Sequence, residues 1–267
     1  VVAASETGAF DSIGATYVRD IAPGEVCCFH SDGSAESFYK KPGKRSLCVF
    51  ELIYFARPDS YIDGMSVYKA RLEMGRALAR QCPTEADIVC GVPESGFDAA
   101  YGYSMESGLP YGMAFVRNRY VGRSFILPSQ GGRSRAVGLK LNPLRASIEG
   151  KRVILVDDSI VRGTTSARII RSLRDAGAKE IHLRISAPPF IAPCYFGVDI
   201  DSKENLIANH YSVEETCKKI GADSLVYLDL GELVKITQGT DITYCTGCFT
   251  DKYPIDVSGA GRKDKFD

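Results

Sequence analysis

Apolar residues at 67, 70, 74, 77 and 78 fall on one face of a helix, and the spacing predicts a helix over Val67–Gln81. The next apolar run has no such period. Residues 87–92, Asp-Ile-Val-Cys-Gly-Val, read as a buried strand running into the turn Pro93-Glu94-Ser95-Gly96. A helical stretch over 97–107 follows, ended by Gly108 and Pro110, and residues 111–116 supply another strand. The cleanest strand is 152–156, Arg-Val-Ile-Leu-Val. Beyond it a helix over 164–176 carries Ile169, Ile170, Leu173 and Ala176 on its apolar face, with Gly177 placed to close it. Residues 181–187 and 224–228 are the last strands. Between them lie an irregular stretch enforced by Pro188, Pro189 and Pro193, and a short helix. Ser212 caps that helix, with Glu215 three residues on and Gly221 at its end. Strands alternating with amphipathic helices predict an α/β fold: a mostly parallel sheet with helices on both faces.

The first forty residues follow another pattern. Residues 15–19 read as a strand, Pro23-Gly24 as a turn, and 25–30 as a second strand that returns through a hairpin at 31–34 to Phe38 and Tyr39. This stretch is too short for a core of its own. A basic linker, 40–45, separates it from the regular region. Residues 117–150 are polar and rich in Gly, Arg and Ser, and a connection that long inside an α/β domain is usually functional. The end, 258–267, is polar.

Composition narrows the functional classes. The chain has 267 residues, 45% of them apolar, and 33 Lys and Arg balance 33 Asp and Glu. No net field therefore favours nucleic acid or an anionic membrane surface. No apolar run reaches the roughly eighteen residues that a bilayer span needs. The start lacks a basic region followed by an apolar one, so no signal peptide is expected, and it lacks Met, as a processed, cleaved or partial chain would. Nine cysteines without a secretory signal read as thiols, some of them metal ligands, rather than as a disulfide framework.

The chemistry concentrates after the clearest strand, where 153–165 reads VILVDDSIVRGTT. Two carboxylates, Asp157 and Asp158, stand at the carboxyl edge of the sheet, where open α/β sheets bind ligands. Ser159, Gly163, Thr164 and Thr165 then offer hydroxyls and backbone N–H groups at a helix N-terminus, which suits a phosphate. The carboxylates cannot serve that anion, but they can hold Mg²⁺ or sugar hydroxyls beside it. The plainer reading is a loop whose Asp residues act as turn formers and caps.

These thirteen residues resemble the signature by which type I phosphoribosyltransferases hold 5-phosphoribosyl-1-pyrophosphate (PRPP). Residues 54–60 (YFARPDS), 61–64 (YIDG), 91–95 (GVPES), 118–125 (NRYVGRSF) and 205–208 (NLIA) extend the likeness. Over about 1–253 the chain resembles the glutamine phosphoribosylpyrophosphate amidotransferases. The resemblance implies transfer of ammonia, drawn from glutamine in the full enzyme, to C1 of PRPP. The products are 5-phosphoribosylamine and pyrophosphate, in the first committed step of purine synthesis. It assigns ribose and Mg²⁺ to Asp157 and Asp158, and phosphate to Ser159, Arg162, Gly163, Thr164 and Thr165. Pyrophosphate goes to Pro93, Glu94 and Ser95, with Ser95 near the metal. Arg117, Arg119 and Arg123 lie in reach of the leaving group. A loop over 128–142, with Arg133, Arg135 and Lys140, corresponds to the one that closes over PRPP. Arg119 and Lys140 join the acidic pair as expected catalytic residues. Glu94 stands where bacterial relatives often carry Asp. Arg117 stands where relatives usually carry Lys, which keeps the charge and alters the hydrogen-bond geometry.

Cys245-Thr-Gly-Cys248 is by itself a weak signal, compatible with zinc, a redox pair or an Fe–S cluster. The resemblance adds Cys48 and Cys194 and implies a structural [4Fe–4S] cluster on all four. It also implies an N-terminal-nucleophile glutaminase domain of αββα type, of which 1–40 is a remnant; 41–230 is then the phosphoribosyltransferase domain and 231–267 a C-terminal segment. Val1 has no thiol, so glutamine hydrolysis is not expected from this chain alone. Purine nucleotides are expected as feedback inhibitors and the assembly as a homo-oligomer, dimer or tetramer. The compartment expected is the cytoplasm, or the plastid stroma in a plant. The alternative is a regulatory protein that binds PRPP or purine nucleotides on the same fold.

Overall fold

The computed structural model describes residues 1–39, 43, 45–117, 141–198, 200, 202–237 and 243–259. A short helix, α1 (Gly8–Ser12), precedes an antiparallel hairpin of β1 (Glu25–Phe29) and β2 (Ala35–Tyr39), in which Glu25 pairs with Tyr39. The hairpin stands where the alternation placed it. Residues 15–19 do not form the expected strand, since they find no ladder partner among the described residues. The linker residues Lys40, Lys41, Pro42 and Lys44 lie outside the described residues.

Beyond the linker, β3 (Ser46–Cys48) leads into a π-helical turn, Glu51–Phe55, that the sequence did not signal. A small ribbon of β4 (Tyr61–Ile62) and β5 (Met65–Ser66) follows, and Ser66 then caps α2 (Val67–Gln81). The predicted face of α2 is the buried one: Val67, Ala70, Met74, Ala77 and Leu78 are each at most 3% exposed. Next come β6 (Ile88–Gly91) and α3 (Phe97–Ser107). The two helices meet backbone to backbone. A Cβ on Gly75 would fall 1.8 Å from the Ala99 carbonyl oxygen, and one on Gly102 would fall 2.0 Å from that of Leu72.

Residues 111–116, expected as one strand, divide between two sheets. Tyr111–Gly112, β7, joins the main sheet, whereas Phe115–Arg117, β8, pairs antiparallel with Leu141–Pro143, β9. The next elements alternate as predicted: β10 (Arg152–Asp157), α4 (Thr164–Asp175), β11 (Glu180–Ile185), α5 (Val213–Ile220) and β12 (Ser224–Tyr227); a further helix, α6 (Leu230–Ile236), follows that the sequence did not signal. Ser212 and Glu215 complete the capping box at the start of α5. Finally β13 (Thr243–Cys245) lies parallel to β3, with Cys245 opposite Cys48, and α7 (Gly247–Thr250) carries Cys248.

The main sheet has the order β12-β11-β10-β6-β7, and every neighbouring pair is parallel. Residues Ile88–Gly91 and 153–157 are buried throughout, which requires cover on both faces of the sheet. The expected α/β architecture is therefore realised. Among these strands β6 comes first in the chain and β10 third, so the winding reverses between them. Ligands of open α/β sheets bind at such a reversal, beyond the carboxyl ends of the strands. No helix among the described residues is long and apolar enough to cross a membrane.

Candidate active site

The two motifs singled out in the sequence flank that reversal. Pro93, Glu94 and Ser95 follow β6, while Asp157 ends β10 and Asp158 follows it. The turn after β6 is drawn across the end of β10: the Val92 N–H donates to the Val156 carbonyl at 2.8 Å, and the Gly96 N–H to that of Val92 at 2.9 Å. Glycine is required here. A Cβ on Gly96 would sit 2.3 Å from the Val156 oxygen. The Pro93–Glu94 peptide is cis. Gly96 holds the N-cap position of α3 with no side-chain bond, so Ser95 is not used as the cap.

Asp157 and Asp158 are both 8% exposed. The Asp158 N–H donates to Asp157 Oδ1 at 3.0 Å, and the Ser159 hydroxyl donates to Asp158 Oδ2. Burial, and then the charge of Asp158 beside it, push the Asp157 carboxyl well above the usual carboxylate range. A group in that state gains from any cation or hydroxyl donor that enters the crevice.

The chain then climbs to α4. Ile160 is buried, and the Ile207 N–H donates to the Val161 carbonyl at 2.9 Å, fixing the loop from its far side. Gly163 occupies the N-cap position with φ +76, and a Cβ there would meet Ile207 Cδ1 at 2.6 Å. No side chain caps α4, while Arg162, Thr164 and Thr165 are exposed. The first turn of α4 therefore offers N–H groups, hydroxyls and the positive end of the helix dipole to an anion.

Arg117 reaches the same region. Its guanidinium pairs with Glu94 at 3.0 Å, both side chains being largely exposed. Arg119, Arg123, Arg133, Arg135 and Lys140 lie outside the described residues. Sequence reasoning missed one neighbour, Tyr54, carried by the π-helical turn. Its phenol is raised by burial and then by the charges of Asp158 and Asp157, which places it within their field. The ring stacks on Phe50 at 5.7 Å between centroids. A period-based reading has no signature for a single π-helical turn, which is one reason it went unseen.

The structure brings the four cysteines together but does not support the cluster expected on them. Cys48, Cys194, Cys245 and Cys248 line one cavity of about 340 Å³, walled also by Phe50 and Phe55. Yet among the described residues no group of three or more His, Cys, Asp or Glu is placed to hold a metal ion, so the expected [4Fe–4S] cluster is not supported. Here burial pushes the Cys48 thiol up to about 11 and raises that of Cys248, and Cys194 Sγ accepts a backbone hydrogen bond from Phe196. All nine cysteines are free thiols.

No family model matches the chain. It is 53% identical over 262 residues to the amidophosphoribosyltransferase of Archaeoglobus fulgidus, across 97% of this chain and 57% of that protein. It is 48% identical over 260 residues to the amidophosphoribosyltransferase of Bacillus subtilis, across 96% of this chain and 55% of that protein. Among solved structures it is similar to glutamine phosphoribosylpyrophosphate amidotransferase from B. subtilis complexed with ADP and GMP. The TM-score is 0.86 at 48% identity, covering 95% of this chain and 56% of that one. The chain spans about half the length of the curated relatives it matches.

Proposed function

Because the chain belongs to the amidophosphoribosyltransferase family along the half of those proteins that it spans, we propose that it is the half that handles PRPP, transferring ammonia to C1 of the ribose. The observation that carries this reading is the meeting, at the sheet's reversal point, of the 93–96 turn with the acidic pair and the open N-terminus of α4. One side can take a pyrophosphate and the other a 5′-phosphate, with carboxylates between them for the ribose hydroxyls.

In this reading Asp157 and Asp158 hold the ribose, and Ser159, Arg162, Gly163, Thr164 and Thr165 hold the 5′-phosphate. Pro93, Glu94, Ser95 and Arg117 face the pyrophosphate, with Arg119 and Lys140 as further catalytic cations. Two adjacent carboxylates suit Mg²⁺, which takes one or two such ligands together with phosphate oxygens, and when bound it neutralises charge on the leaving group. The nitrogen lone pair attacks C1, the C1–O bond to pyrophosphate breaks, and a proton leaves the new ammonium. Positioning and electrostatics dominate, since ammonia needs little help from a base.

Residues 1–40 are read as the end of a glutaminase domain, 41–230 as the phosphoribosyltransferase domain and 231–267 as a C-terminal segment. Glutamine hydrolysis is assigned to the part of the relatives' length that this chain does not span. Purine nucleotides as inhibitors, a homo-oligomeric state and a cytoplasmic location complete the proposal. The relative solved with ADP and GMP supports the first of these.

The test is pyrophosphate release from PRPP with Mg²⁺, at alkaline pH, with ammonium or with glutamine. Ammonium is expected to drive release and glutamine not to. Equal rates in a preparation shown by mass to contain only this chain overturn the reading. Calorimetry on the Asp157→Ala/Asp158→Ala double variant is expected to give much weaker PRPP binding, and unchanged affinity removes the assignment of that pair.

A further inference from the structure

Arg71 is a charged side chain of α2 that is only 4% exposed, and the proposed chemistry makes no use of it. Its guanidinium satisfies three backbone carbonyls of one short segment. Nε donates to Leu52 at 2.9 Å, and Nη2 donates to Tyr54 at 3.1 Å and to Ala56 at 2.8 Å. The remaining nitrogen, Nη1, lies 3.6 Å from Oδ2 of Asp98, in the first turn of α3. The carbonyls belong to the π-helical turn that bears Tyr54 and to its C-cap Ala56, whose N–H closes the turn by donating to Glu51 at 3.0 Å. Asp98 stands two residues beyond Gly96, which ends the turn drawn over β10. One buried guanidinium thus joins two of the walls around the crevice. The two helices that carry Arg71 and Asp98 meet backbone to backbone at Gly75 and Gly102.

Burying such a charge is a poor way to add stability, because an apolar residue of similar volume often serves as well or better. What it does supply is a planar fork that fixes several acceptors in one geometry. We propose that Arg71 is a positioning residue: it clamps the π-helical turn carrying Tyr54 against the helix that follows the 93–96 turn, and so sets the spacing of the crevice in which PRPP binds. This rests on the PRPP reading above. Arg71 acts through the turn and through Asp98 and touches no substrate.

The test compares the full chain with Arg71→Lys, which keeps the charge opposite Asp98 but replaces the fork with a point donor. Ser212→Ala, which removes the cap of α5, serves as a control for general destabilisation. PRPP affinity is measured by calorimetry well below the melting temperature, and amide hydrogen exchange is followed over 51–56 and over 153–157. Arg71→Lys is expected to weaken PRPP binding about tenfold or more, as a displaced wall would. It should also speed exchange at Ala56 while leaving β10 protected, whereas Ser212→Ala does neither. Parent-like PRPP affinity in Arg71→Lys overturns the proposal. If the parent chain itself fails to bind PRPP, the functional reading falls. The hold of Arg71 on the turn, apart from any role in PRPP binding, is then judged by exchange alone: unchanged protection at Ala56 in Arg71→Lys overturns it, and faster exchange there upholds that hold.

Discussion

The Val92 amide donates to the Val156 carbonyl at 2.8 Å, a bond that ties the exit of β6 to the end of β10 across the point where the sheet reverses its winding. Segments far apart in the sequence become the two lips of one crevice through it. Gly96 makes the approach possible.

Gly96→Ala places a methyl group 2.3 Å from the Val156 oxygen, and backbone on both sides leaves it nowhere to go. The turn must shift. A loss of about 1–3 kcal/mol is expected, the usual range for overpacking. It should come with weaker PRPP binding, and denaturant unfolding and calorimetry check the two effects. Full stability in this variant would mean that the turn sits further from β10 than described.

Asp157 predicts an unusual pH dependence. Its folded-state carboxyl is raised above the ordinary value of 3.8, by burial first and by Asp158 second. The folded protein therefore holds this proton more tightly than the unfolded chain does. The contribution is fully present below pH 3.8 and is lost as pH rises from there through the folded-state value. Asp157→Asn should remove that loss, making the ligand-free protein more stable at neutral pH while PRPP binding falls. Thermal melts of parent and variant across the acid-to-neutral range measure it, and parallel curves for the two would refute the assignment.

Arg117 and Glu94 form an exposed pair, so its worth to the fold is small. Arg117→Ala should unfold within about 0.5 kcal/mol of the parent, the range for surface changes. PRPP binding in the same variant should weaken and lose part of its salt dependence. If binding is unchanged, Arg117 serves Glu94 and not the ligand.

Cys90 lies in β6 with no exposed surface, and burial pushes its thiol up to about 12. In the native protein it should resist alkylation at pH 8, and it should react once the chain is unfolded. Mass mapping of the modified peptides decides this. Rapid labelling without unfolding would show that β6 opens locally.

Much of this protein was legible from its sequence, wherever one element reports its own surroundings. The face of α2, the buried run before Asp157 and the capping box at Ser212 each repeat a local rule: a period, a hydrophobic run, a pair of polar side chains three residues apart. The VILVDDSIVRGTT segment belongs with these, because its strand, turn and helix start are contiguous. Tertiary structure alone decided what lies across from what. The division of 111–117 between two sheets depends on which partner each strand finds, and no periodicity encodes that. Strand order brought the 93–96 turn to the acidic pair, and packing of α2 on α3 carried Arg71 to the carbonyls of the π-helical turn. The four cysteines converge on one cavity, yet they form no metal-holding group there, and spacing in the sequence could not have told these two facts apart. Local patterns record whether a position is buried. Directions and distances between segments arise only when the whole core has packed, because they are set by the strands and helices lying between them.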